Sequence, residues 1–118
     1  SEVLNLLALI KNALKPNGKL ILRTPNMDAP FASVFAYGDF THTALFNYGS
    51  MEQVLLAAKM KEIQVLSCYV GANSMKKELI RRILWFFHRM SYKLALFASG
   101  RSTAKVLFTP NLLVVAKK

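Results

Sequence analysis

His42 is the side chain in this sequence best suited to move a proton near neutral pH. It closes the stretch Asp39-Phe40-Thr41-His42, where Asp39 is placed to hold the imidazole in one tautomer. His42 as a general base on an acceptor hydroxyl, oriented by Asp39, is therefore the expected catalytic pair. The alternative is structural: Asp39 and Thr41 lock a loop by hydrogen bonds, and His42 packs over the end of a sheet. Thr24 and Asn26 flank Pro25 at the end of an apolar run. They are either cofactor-side site residues or, for Asn26, a turn-forming residue after a proline. Thr41, Asn47, Trp85 and Tyr92 are the candidate substrate contacts. No metal site is expected, because the two histidines, His42 and His88, lie far apart and no ligand cluster surrounds either. Cys68 is the single cysteine, which excludes an intrachain disulfide, and its apolar neighbours favour packing over chemistry.

The elements that must carry these residues follow from apolar spacing. Glu2 to Leu14 has helical spacing with one buried stripe, and Pro16-Asn17-Gly18 ends it in a left-handed turn. Lys19 to Arg23 is a strand, apolar without interruption from Leu20 to Leu22, the pattern of a strand covered on both faces. A long aromatic loop follows, with a short helix expected over Phe31 to Tyr37. Ser50 and Gln53 make a capping-box pattern for a helix over Met51 to Met60. Ile63 to Val70 is a second strand, and Leu112 to Ala116 a β-branched last one. Between them, Met75 to Phe97 is a long helix with Ser74 as its expected cap, a break near Ser91 and Gly100 at its end. The order of helices and strands is α/β.

The 118 residues allow a single domain spanning 1–118. Hydrophobic residues make up 53%, enough for a real core. Mean hydropathy is +0.28, yet no run is long and apolar enough for a transmembrane helix. Residues 1–13 lack the pattern of a signal peptide, and with one cysteine a reducing, cytoplasmic setting is the default expectation. The formal net charge is +10, from 16 Lys and Arg against 6 Asp and Glu, and such an excess points to an anionic partner or surface. It is concentrated late: eight basic residues between Lys76 and Lys105 face one acid, Glu78.

On the long helix, Leu79, Ile80, Ile83, Leu84, Phe86, Phe87, Met90, Leu94 and Phe97 share one broad face. Trp85 and Tyr92 fall among the basic residues opposite. An interfacial membrane helix has this composition. So does an ordinary amphipathic helix that covers a sheet and leaves its basic face in solvent. Nucleic acid is the least favoured partner, because no RNA-binding signature accompanies the charge.

Taken in order, Leu14-Lys15-Pro16-Asn17-Gly18-Lys19-Leu20, then Thr24-Pro25-Asn26, then Asp39-Phe40-Thr41-His42, resembles the second half of class I S-adenosylmethionine (SAM)-dependent methyltransferases. The first piece matches the family's Leu-Lys-Pro-Gly-Gly turn, with Asn17 in place of the first glycine, a substitution that left-handed backbone tolerates. The later pieces resemble a bacterial subgroup acting on small molecules and on glycan or lipid-linked intermediates. The resemblance implies a partial Rossmann-like sheet of two parallel strands with the antiparallel C-terminal strand between them, covered by helices, and a helical insertion at about 74–105. It implies SAM as cofactor and methyl transfer driven mainly by positioning. The family's glycine-rich cofactor loop belongs upstream of Ser1, so the chain reads as the C-terminal half of such a domain, expected to be inactive alone.

Three expectations follow about partners. The first is a methyltransferase fragment acting on a small-molecule, glycan or lipid-linked acceptor. The second is a non-enzymatic module whose basic helix meets an anionic membrane surface, at the inner face, or an acidic partner. The third is a half-enzyme that pairs with a separate N-terminal half or self-associates through an open sheet edge.

Overall fold

The computed structural model describes residues 1–38 and 43–118. Seven elements appear in the order α1 (Glu2–Ala13), β1 (Lys19–Pro25), α2 (Ala32–Tyr37), α3 (Tyr48–Ala57), β2 (Lys61–Cys68), α4 (Met75–Ala98) and β3 (Asn111–Lys117). The three strands form one sheet in the order β1-β3-β2, so the last strand of the chain lies in the middle. Leu22 and Val65 both face Val114 across the two ladders. Both ladders are antiparallel; β1 and β2 therefore point the same way without pairing. No strand ladder among the described residues is parallel; one isolated parallel bridge joins Asn26 to Phe46.

Helix ends follow local chemistry. The Ser1 hydroxyl accepts from Leu4 N–H at the start of α1. Asn17 sits at φ 60 in the turn before β1, as the left-handed reading requires. Gly18 is needed there for space: a Cβ would meet the Lys15 carbonyl oxygen at 2.8 Å. The α3 cap differs from expectation. Asn47 is the N-cap and accepts from Ser50 N–H at 3.0 Å, while the Ser50 hydroxyl accepts from Asn47 N–H at 3.0 Å. The box is complete, but Ser50 answers the cap instead of being it, so the helix starts earlier. At its far end Lys59 takes φ 57, and Lys59 and Met60 N–H bond back to Leu56 and Leu55. That is a Schellman closure with lysine where glycine is usual. Gly100, at φ 77, closes α4 the same way onto Phe97 and Leu96. The expected break near Ser91 is absent: α4 runs unbroken, and Ser74 caps it by position without a side-chain bond. Lys11 Nζ donates to the carbonyls that end α3, and Lys118 Nζ to the Leu14 carbonyl after α1. Both meet the negative end of a helix dipole.

The core lies on one face of the sheet. Leu7 from α1, Met51 and Leu55 from α3, and Val65, Leu112, Val114 and Ala116 from β2 and β3 are buried together. Leu55, Leu112 and Val114 are fully enclosed, worth about 1.5–3 kcal/mol each in transfer free energy. A bulge between Lys61 and Gln64, with Glu62 at φ 47, sets Ile63 against this core. Among the described residues nothing covers the opposite face. Ile21 is 66% exposed and Leu66 43% exposed. Thus the expectation that β1 is covered on both sides is corrected within the described residues: α1 and α3 pack one face, and α4 does not lie over the other.

Candidate functional site

In open α/β sheets ligands gather at the carboxyl ends of strands. Here that end of β1 holds Thr24, Pro25 and Asn26. Asn26 is 1% exposed. Its amide Nδ2 donates to the Leu107 and Thr109 carbonyls, the latter at 2.9 Å, and its Oδ1 accepts from Asp28 N–H at 3.1 Å. Its own N–H donates to the Pro110 carbonyl at 3.0 Å. Both amide donors are thus spent on the segment entering β3. Of the two readings of Asn26, this geometry is that of the turn lock. Asn47 lies near by: besides capping α3, its Nδ2 donates to Asp28 Oδ1 at 3.3 Å. Asn26, Asp28 and Asn47 therefore form one hydrogen-bonded chain tying β1 to α3. Asp28 joins the site unannounced by any motif; its one mark in the sequence is its place two residues after Asn26, where an Asx-type turn forms.

Thr24 faces a groove of about 530 Å³ between α1, β1 and α3. Val3, Leu6, Leu20, Leu22 and Phe46 give it apolar walls, and Glu2, Thr24 and Thr43 its polar lining. Such a groove suits an apolar segment or the body of an acceptor. Among the described residues, these three polar side chains are too few to satisfy a ribose and a charged aminoacyl group together. These residues alone therefore do not make a site for SAM.

Trp85 and Tyr92 also reach this end of the sheet, carried by α4. Trp85 meets Tyr69, just past β2, edge to face at 6.1 Å, and Tyr92 stacks on Phe108 at 5.6 Å. Arg81 lies 5.0 Å over the Tyr69 ring. Trp85 and Tyr69 share a cavity of about 80 Å³ with Arg89, Lys93 and Thr109. Trp85 Nε1 is shielded from solvent with no acceptor among the described residues. Glu78 accepts from Arg81, Arg82 and Ala72 N–H, and these bonds hold its carboxyl well below the usual carboxylate range. The same pair raises the Arg81 guanidinium above its ordinary value. So Trp85 and Tyr92 fasten α4 to the domain, while Thr24 and Asn47 sit across the sheet end on β1 and α3. Asp39, Thr41 and His42 lie outside the described residues. Among the described residues no group of His, Cys, Asp and Glu could hold a metal ion.

No protein-family model matches the chain, and no curated protein matches it in sequence. In structure it is similar to a SAM-dependent methyltransferase from Archaeoglobus fulgidus, with a TM-score of 0.60 and 15% identity. The match covers 99% of this chain and 52% of that one, so the chain spans about half of that structure. At this identity the likeness is one of fold: a methyltransferase-like α/β arrangement.

Proposed function

We propose that this chain is the C-terminal half of a SAM-dependent methyltransferase domain of the bacterial small-molecule or glycan type. The observation that carries the reading is the sheet order β1-β3-β2, with the last strand antiparallel between two strands that point the same way. In this reading β1, β2 and β3 are the fifth, sixth and seventh strands of the full sheet. The missing neighbour of β1 would pair with its free edge, and the other half of the domain would bring the glycine-rich loop.

SAM would supply the methyl group, and its site would be completed by that other half, since among the described residues the groove beside Thr24 offers only Glu2, Thr24 and Thr43 as polar side chains. The residues of this chain serve the acceptor. His42 takes the proton released by an acceptor hydroxyl or amine, Asp39 fixes the tautomer, and Thr41 binds acceptor oxygen. Asn26 and Asn47 support this region by holding the strand end to α3 and to the entry of β3. The acceptor is a small molecule, a glycan or a lipid-linked intermediate. The chain by itself transfers no methyl group.

Equilibrium dialysis with radiolabelled SAM tests the reading. The product of the whole reading frame should retain SAM, and the 118-residue chain should not. In the whole enzyme H42A should lower kcat by about 10²–10⁴ with SAM binding unchanged. Retention of SAM by the 118-residue chain alone, or none by the whole product, would contradict it.

A further inference from the structure

An amphipathic helix normally turns its apolar stripe inward. On α4 the two faces are reversed. Glu78, Arg81 and Trp85, the residues that contact the domain around Tyr69, are partly buried. The apolar arc points away: Met75 is 91% exposed, Phe87 65% and Phe97 76%, and Leu79, Ile83 and Phe86 are exposed as well. No residue of α4 is buried. The reversal has a local cause. The Glu78 carboxylate accepts from Ala72 N–H, Arg81 lies on Tyr69, Trp85 meets Tyr69 and Tyr92 stacks on Phe108, so these contacts hold the polar and aromatic seam against the domain, with only Trp85 Nε1 left without an acceptor among the described residues.

The charges around the exposed arc say what covers it. At helical spacing Lys77 lies along one long edge of the arc, and Arg82, Arg89 and Lys93 lie along the other. Glu78, the one acid of the helix, is neutralised by Arg81 and Arg82. Lys76, Lys77, Arg89 and Lys93 form no ion pair among the described residues. A second copy of this chain would set the same positive edges against each other. A bilayer with anionic headgroups meets both requirements, because apolar side chains enter the acyl boundary while lysine and arginine stems reach back to the phosphates. At 24 residues the helix is about 36 Å long. No described helix is long and apolar enough to cross a membrane, so α4 would lie along the surface.

We infer that α4 is an in-plane anchor for an anionic lipid bilayer, seating its exposed apolar face with Lys77, Arg82, Arg89 and Lys93 on the headgroups. This stands apart from the methyltransferase reading and survives its failure.

Co-sedimentation of the chain with vesicles tests it, using phosphatidylcholine alone and phosphatidylcholine mixed with phosphatidylglycerol. Binding should favour the anionic vesicles and weaken with salt. Each removed charge should cost about 5-fold in partition, so K77Q/R89Q/K93Q should lose on the order of 100-fold. These side chains are exposed, and unchanged far-UV circular dichroism would show that the variant is folded. A second variant reports orientation: F87W in a W85F background should shift its emission to the blue on anionic vesicles and be quenched by brominated lipid. Equal binding to both vesicle types, no binding, or an unshifted F87W emission would overturn the inference. The last two would indicate that another protein surface, such as the remainder of a larger domain, covers the helix.

Discussion

Replacing Asn26 with alanine is the sharpest test of how the strand end is built. The side chain makes three hydrogen bonds inside the chain: two from Nδ2, to Leu107 and Thr109, and one from Asp28 to Oδ1. At about 1 kcal/mol net for each bond, N26A should cost roughly 3 kcal/mol, with the two carbonyls left unpaired adding to it. A small domain has only about 5–15 kcal/mol in hand, so the loss should lower Tm by roughly 10–15 °C. N26D is the informative companion. It keeps the shape but turns an oxygen toward two carbonyl oxygens. It should cost at least as much at neutral pH. Acid should partly reverse the defect, because the introduced carboxyl has a raised folded-state pKa and, once protonated, donates one of the lost bonds. Urea unfolding followed by far-UV circular dichroism, at neutral and mildly acidic pH, reads both effects. If N26A unfolds like the parent chain while the whole enzyme loses SAM binding, the residue is a ligand contact and the lock is wrong.

The other predictions concern faces and pairs. The uncovered sheet face and the free edge of β1 should make the isolated chain self-associate; I21K should shift sedimentation-velocity profiles toward monomer, and a parent chain that is already monomeric at high concentration would refute this. Glu78 has a depressed folded-state pKa, held down first by Arg81, so its contribution is present above the ordinary carboxylate range and is lost progressively as pH falls from that range toward the lower folded value. The junction of β2 and α4 should therefore survive mild acid, whereas E78Q should raise hydrogen exchange at Ala72 at every pH. The pair of Lys105 with Glu52 has the opposite sign, since the raised lysine pKa means its contribution persists below the ordinary lysine value and fades as pH rises past it.

Much of the fold could be read from apolar spacing and turn chemistry, because these are local. The left-handed Asn17, the glycine closure of α4 and all three strands belong to this class. The misreadings share a cause, which is that the deciding partner is distant in sequence. Asn47 and Ser50 are both capping residues, and the reciprocal box does not say which one leads until the Phe46 carbonyl is seen accepting from Met27 N–H and the Asn47 amide donating to the Asp28 carboxylate. Leu20 to Leu22 is apolar on both faces, but α1 and α3 supply cover for only one. The two arcs of α4 were plain in the sequence, yet nothing local tells which arc meets the domain. That is decided by Tyr69 and Phe108, on other segments. Of the candidate site, Thr24, Asn26 and Asn47 are brought to one end of the sheet, and Trp85 and Tyr92 reach it as packing residues of α4.

The central claim, that this chain is half of a methyltransferase domain, is tested most directly by determining the coding sequence upstream of Ser1. An in-frame apolar strand is expected there, followed by a Gly-x-Gly-type turn opening a helix, with an acid about 20 residues further on. A stop codon and a new start beside Ser1 would contradict it and leave a stand-alone domain with an exposed basic helix.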